Sequence, residues 1–482
     1  MELATYRAEA EEFTSAIDRE YLLHYSGRKE DFDLDPIYAR HAALFEAATV
    51  EELRAARAPR ELARFAAEGH IGREVKDEVS ELARREAAAV VRINGDELPF
   101  RQAAVVQADE RDADRRAAIE AARLEVTARE LNPLLEEAHE RAADSARSLG
   151  FRSMRALCEE LGGLDLERLQ AQAHAFLVST DALYEPLLDP ELERQLGLPL
   201  AAMRRSDIAA FVRAPRLDAA FPSGRALRAL EATLAGMGVE RGSVEVDSES
   251  RPTKSPRAFC APVRVPDEVH LVFPAVGGRE DFDALFHEAG HAWHYANVDR
   301  DLPVEARYLG DNSVTEGFAF VLEHLLADAA WLRRILGVED PDPLIRYSQA
   351  LRLLFLRRYC AKLLYEVELH GGELGSDAAS ETYAERLSRA LRIDWPRETW
   401  LADVDPFFYA ARYLRAWAFE TRLRRHLSDR FGPAWFAERD AGDYLRGLWR
   451  QGQAHDADEL LAETCGERID LAALLDDLRP AG

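Results

Sequence analysis

The sequence predicts a mainly α-helical protein with a small β-sheet just ahead of one buried helix, and three observations lead there. Residues 1–235 read as helix after helix; Arg101 to Leu149 holds no glycine and is rich in Ala, Glu and Arg. From about residue 240 the texture changes to short β-branched runs interrupted by prolines. Beyond about residue 280 helical patterning returns and continues to the last segments. At 482 residues the chain can bury a large core and form two lobes, divided by these changes into a helical part, 1–235, and a second part, 236–482.

Composition narrows the function classes. With 47% hydrophobic and 31% charged residues the chain is globular rather than disordered. A formal charge of −26 argues against nucleic acid or an anionic membrane as a partner. Cys158, Cys260, Cys360 and Cys465 are far apart and form no C-x-x-C pair, as expected of free thiols in a reducing compartment. The first residues lack the basic start and apolar run of a signal peptide, and no stretch approaches about 18 apolar residues. The expectation is a soluble cytoplasmic protein that binds neither nucleic acid nor membrane; the sequence specifies no oligomeric state.

In the first half, one break or kink is expected at Asn132–Pro133. His24, His41, His70, His139 and His174 are scattered and read as surface or core histidines. Ser243–Asp247 and Glu268–Phe273 alternate like short strands, while Pro252, Pro256, Pro262 and Pro266 between them rule out a long helix. A strand there could pair with an extended peptide along its edge, or simply be a small sheet covering the next helix.

That next helix carries the chemistry. Gly277–Gly278 break the chain, Glu280, Asp281 and Asp283 supply first-turn negative charge, and Phe282, Leu285, Phe286, Ala289 and Trp293 give an apolar face. Within it lies His287-Glu288-Ala-Gly-His291, an H-E-x-x-H motif. Residues four apart share a helix face, so His287 and His291 can aim at one ion, with Glu288 placed as general base for water. Gly290 weakens the helix by about 1 kcal/mol, which makes sense if another helix or a substrate must come close there.

Two imidazoles leave a catalytic metal short of one protein ligand. Glu316 follows His291 after enough chain for a loop and a returning helix; Glu323, two turns on, is a candidate to orient a ligand imidazole. Ser313-Val-Thr-Glu316 also reads as a capping box, the competing use of that acid. Further along, Leu344 to Leu369 and Ala378 to Leu391 read as helices, separated by Gly371–Gly372, with a turn at Trp395–Pro396. Tyr409 and Tyr413, four apart, can present hydroxyls from one helix face as oxyanion donors, or pack as core aromatics.

H-E-x-G-H-x-x-H, then Glu316 and Glu323 at these spacings, resembles the thimet oligopeptidase and oligoendopeptidase F family of zinc peptidases. The resemblance spans roughly 250–470 and is most specific over 257–323, where Arg257-Ala-Phe-Cys260 is similar to the family's segment before its substrate-facing strand. It implies a two-lobed helical metallopeptidase with a deep cleft and a small β-sheet beside the active-site helix. One Zn²⁺ per chain would be held by His287, His291 and Glu316, with Glu288 as general base. His294 matches the histidine that follows the motif, and with Glu323 would stand behind the ligands; Asp311 is a further candidate for orienting the imidazoles. Tyr409 and Tyr413 match tyrosines of a tyrosine-rich helix. The pattern departs from the family at Asp403–Asp405, where a histidine is expected, and in its third tyrosine; Arg412 or Arg415 could compensate. Leu448 to Leu461 resembles the family's closing segment. The implied activity is endoproteolysis of short peptides. A metallocarboxypeptidase on a related helical fold, or a helical protein that keeps a metal without catalysis, also accommodates the motif.

Overall fold

The chain's abundance of Ala, Leu, Arg and Glu, all strong helix formers, gives 72% helix and 5% strand. The computed structural model describes residues 2–93, 95–274, 276–372 and 374–478. Elements used below are α1 (Leu3–Tyr25), β1 (Val90–Ile93), β2 (Asp96–Pro99), β3 (Val244–Asp247), β4 (Phe259–Arg264), β5 (Glu268–Val272), α2 (Arg279–Asn297), α3 (Asn312–Glu323), α4 (Asp342–Gly371), α5 (Ser376–Leu391), α6 (Tyr409–Phe431) and α7 (Ala457–Cys465). Among the described residues no helix is long and apolar enough to cross a membrane.

Two compact units form, and both are discontinuous in sequence. The first joins Met1–Ala66, Pro215–Ile345 and Arg412–Ala481; the second joins Ala67–Ala214 with Arg346–Ala411. A single cut near residue 235 falls inside the helix Ala226–Gly236, which belongs to the first unit.

In the first unit a three-stranded sheet runs in the order β3-β5-β4, with β3 parallel and β4 antiparallel to β5. The proline-rich connection, where the prolines rule out only a long helix, thus contains a strand, β4. Pro262 is tolerated because β4 is an edge and its pairing is irregular between Ala261 and Arg264. Ala261, Val263 and Val272 pack on Leu22 of α1. Gly277 and Gly278, at φ +101° and +92°, turn the chain into α2, and the Gly277 amide donates to Asp281 at 2.6 Å. Helices α2 and α3 meet where a Cβ on Gly290 would lie 2.4 Å from the Ala319 Cα and 2.7 Å from the Phe318 carbonyl oxygen. The glycine is there because the neighbouring backbone takes its side-chain space.

The second unit corrects the reading of residues 1–235 as purely helical: β1 and β2 form an antiparallel hairpin. Its turn falls at Gly95, φ +96°, a local signal that the surrounding Ala- and Glu-rich helices obscured. Nor does Pro133 break its helix. The turn before it, Thr127–Leu131, widens to π geometry between Ala113–Val126 and Asn132–Ser148, accommodating a ring that has no N–H to give. Helices α4 and α5 begin and end within two residues of expectation.

Glu366 of α4 is fully buried in this unit. Its Oε1 accepts the Asp405 amide at 3.0 Å, and Lys362 lies 3.8 Å away. Burial, only partly offset by Lys362, pushes its pKa up to about 8. The folded state holds this proton where an unfolded Glu, near 4.3, has released it. Its contribution is therefore full at acid pH and lost as pH rises from about 4.3 towards 8. Denaturant melts should show wild type losing stability relative to Glu366→Gln across that window; parallel curves for the two proteins reject the assignment.

Candidate metal centre

All the groups of the H-E-x-x-H region lie in the first unit. Helix α2 presents His287 and His291 one turn apart, their ring centroids 4.9 Å apart. Glu316, in the second turn of α3, comes to them from the other side of the Gly290 contact. Its Oε2 is 3.2 Å from His287 Nε2 and 3.6 Å from His291 Nε2, and the two Nε2 atoms are 3.2 Å apart. Ligands about 2.0–2.1 Å from a tetrahedral cation sit about 3.3 Å from one another, so the triangle has the dimensions of a metal's face. His287, His291 and Glu316 form one of the groups able to hold a metal ion.

The hydrogen bonds behind the rings give this triangle its chemistry. His287 Nδ1 donates to Glu323 Oε2 at 2.8 Å, the role expected of that acid. Nδ1 of His291 is 2.9 Å from Thr315 Oγ1. With Nδ1 carrying hydrogen, each Nε2 turns a lone pair towards the carboxylate. Two nitrogens and an oxygen cannot converge so closely on lone pairs alone; a proton or a cation must lie among them. Burial disfavours a charged His287, yet Glu316 and Glu323 outweigh it and lift its pKa well above the ordinary range. Burial also works against the Glu316 carboxylate, and the two imidazoles reverse that effect and lower its pKa.

Glu316 is not spent on its own helix start. Asp311 is the N-cap of α3, accepting the Ser313 amide at 3.0 Å, and Ser313 Oγ accepts from Arg415. Asp311 also takes Arg412 Nη1 at 2.8 Å, Arg415 Nη2 at 2.9 Å and the Ala457 amide at 3.2 Å. Arg412 and Arg415 are thus engaged in clamping α3, α6 and α7 together, and Asp311 serves that clamp rather than an imidazole. These three expectations are corrected.

Glu288 lies off the triangle. Its Oε2 accepts the Cys260 amide of edge strand β4 at 2.8 Å, and among the described residues Oε1 takes no hydrogen bond. His294 is fully buried, its ring 4.9 Å from Phe318 and stacked 5.3 Å from Tyr295. Burial, then the neighbouring His291, pushes its pKa down to about 3, so it is a neutral core residue beside the triangle, not hydrogen-bonded to it. Tyr413 sits 6.1 Å from the Phe320 ring, which in turn lies 5.0 Å from His287. Tyr409 falls in the second unit. Within that unit, Asp405 pairs with Lys362 at 2.7 Å and Asp403 pairs with Arg358 and accepts the Tyr383 hydroxyl at 2.7 Å, so the 403–405 stretch is built as an ion-pair cluster.

Sequence reasoning missed Thr315 and the Cys260 amide. Thr315 had a signal: it is one of few polar residues in a helix whose other members include Val314, Phe318, Ala319, Phe320, Val321 and Leu322. A backbone amide has none. A second group, His324, Glu420 and Asp477, also has metal-ligating side chains close together. There Arg424 donates to Glu420 and Asp477, both at 2.6 Å, so a guanidinium already supplies the positive charge.

Fold and site together define a mainly helical protein whose first unit brings two imidazoles and a carboxylate into a group that can hold a metal ion. No family model matches the chain, and no curated protein matches it.

Proposed function

We propose that this chain is a zinc-dependent endopeptidase of short peptides. The observation that supports it most is the triangle of His287 Nε2, His291 Nε2 and Glu316 Oε2, with Glu288 fastened to a neighbouring edge strand. Two imidazoles and one carboxylate make a donor set suited to catalytic zinc. When bound, the ion supplies Lewis acidity, making water more acidic and drawing charge from a carbonyl.

The chain's own residues do the rest. Glu288 takes the proton of the attacking water on Oε1 and returns it to the leaving amine. The Cys260 amide, by holding Oε2, fixes the direction of that carboxylate. Edge strand β4 offers extended backbone along which a peptide can lie without a sequence requirement. Tyr413, on α6 within the same unit, donates a hydrogen bond to the developing oxyanion.

The test combines metal analysis with a mixed peptide library, using free and blocked C-termini. Wild type is expected to carry one zinc per chain and to cleave internal bonds of blocked peptides. Glu288→Gln should keep the zinc and lose at least about a hundredfold in turnover, the scale of general-base catalysis. Undiminished turnover in that variant removes the base assignment. Cleavage confined to free C-termini makes the enzyme a carboxypeptidase, and zinc without any hydrolysis makes the metal structural.

A further inference from the structure

We infer that Thr315 is a positioning residue that fixes His291 for the metal; the inference rests on the metal-centre reading above. An imidazole can present either nitrogen, and a ring on a helix can swing about two torsions. Something must select Nε2 and hold it on the triangle. For His287 the selector is an anion, Glu323. For His291 it is a neutral hydroxyl, Thr315 Oγ1, at 2.9 Å.

Three features make this hydroxyl well suited to the task. Thr315 immediately precedes Glu316, so one turn of α3 delivers both a ligand and the group that aims another ligand. It is only 3% exposed, which leaves water little access as a substitute. Its β-branched side chain has few rotamers, so Oγ1 is set by the backbone. Tyr295, one turn beyond His291 on α2, stacks its ring 6.4 Å from that of His291.

Neutrality matters as well. Glu316 and Glu323 already supply two negative charges against a dication. A third buried carboxylate behind His291 would cost desolvation and blunt the cation's pull on water and carbonyl. A hydroxyl gives orientation without that charge.

The test measures zinc affinity of the full chain by competition with a chromophoric chelator, together with thermal unfolding of the metal-free protein. Thr315→Val keeps the shape and removes the hydroxyl; affinity is expected to fall about 10- to 100-fold. Thr315→Ser should restore it to near the wild-type value. An unchanged metal-free unfolding midpoint in Thr315→Val marks the effect as positioning rather than packing. Wild-type affinity in Thr315→Val, or an equal loss in Thr315→Ser, overturns the inference while leaving the metal centre standing. If Thr315→Val does not fold, Thr315→Ala decides: weakened binding with Thr315→Ser near wild type supports the inference and unchanged binding overturns it. Zinc uptake absent from wild type, or indifferent to His287→Ala, brings down the metal-centre reading and this inference with it.

Discussion

Gly290→Ala is expected to cost about 1–3 kcal/mol of stability and to abolish metal binding, although alanine is the better helix former. The added methyl meets the Ala319 Cα at 2.4 Å and the Phe318 carbonyl oxygen at 2.7 Å, both backbone and so unable to rotate away. The gain in helix propensity is about 1 kcal/mol, smaller than the clash it would have to offset. Relief requires α2 and α3 to part by about 1 Å to reach ordinary contact distance. That movement carries Glu316 away from Nε2 atoms now 3.2 and 3.6 Å distant, and the triangle opens beyond the reach of one ion. Thermal unfolding and metal content measured on the same sample check both parts. A variant as stable as wild type and still loaded with metal would show that the helices have slack the structure does not display.

Asp311→Ala should be the more destabilising change, by about 3–5 kcal/mol, because it strands two buried guanidiniums and uncaps α3. Asp311, Arg412 and Arg415 are all more than nine-tenths buried. Burial raises the Asp311 pKa, but Arg415, Arg412 and the Ser313 amide outweigh it and hold the carboxyl far below the ordinary range. A depressed folded-state pKa gives stability that is complete above the unfolded value, about 3.9, and is lost as pH falls towards the folded one. Wild type should therefore exceed Asp311→Asn by a constant margin from neutral pH down to about 5, and the margin should shrink in stronger acid. Urea melts over that range test the sign. A margin that widens in acid would mean the carboxylate is not what the arginines require.

The centre and the clamp differ in how far local sequence reveals them. His287, Glu288 and His291 are legible because four residues make roughly one helical turn, so spacing alone places both rings on one face. Gly290 announced a close approach, and Glu316 and Glu323 stood at distances that a returning helix can span. Arg412 and Arg415 were misread because a charge in sequence says nothing about the acid it will meet. Their partner, Asp311, lies about a hundred residues away. His294 was misread for a related reason: its position past the motif suggests the site, yet the helix turns it onto Phe318 and into the core.

By itself, then, the sequence determined a helical chain with a strand-bearing insert and one helix face prepared for a cation, since these follow from periodicities a few residues long. Tertiary structure decided which carboxylate closes the triangle, that a hydroxyl rather than an acid backs His291, and that the Cys260 amide tethers Glu288. It also decided that the two units are each assembled from separated segments. Those outcomes depend on contacts between helices and strands distant in the chain, where geometry is set by packing and no local pattern records it.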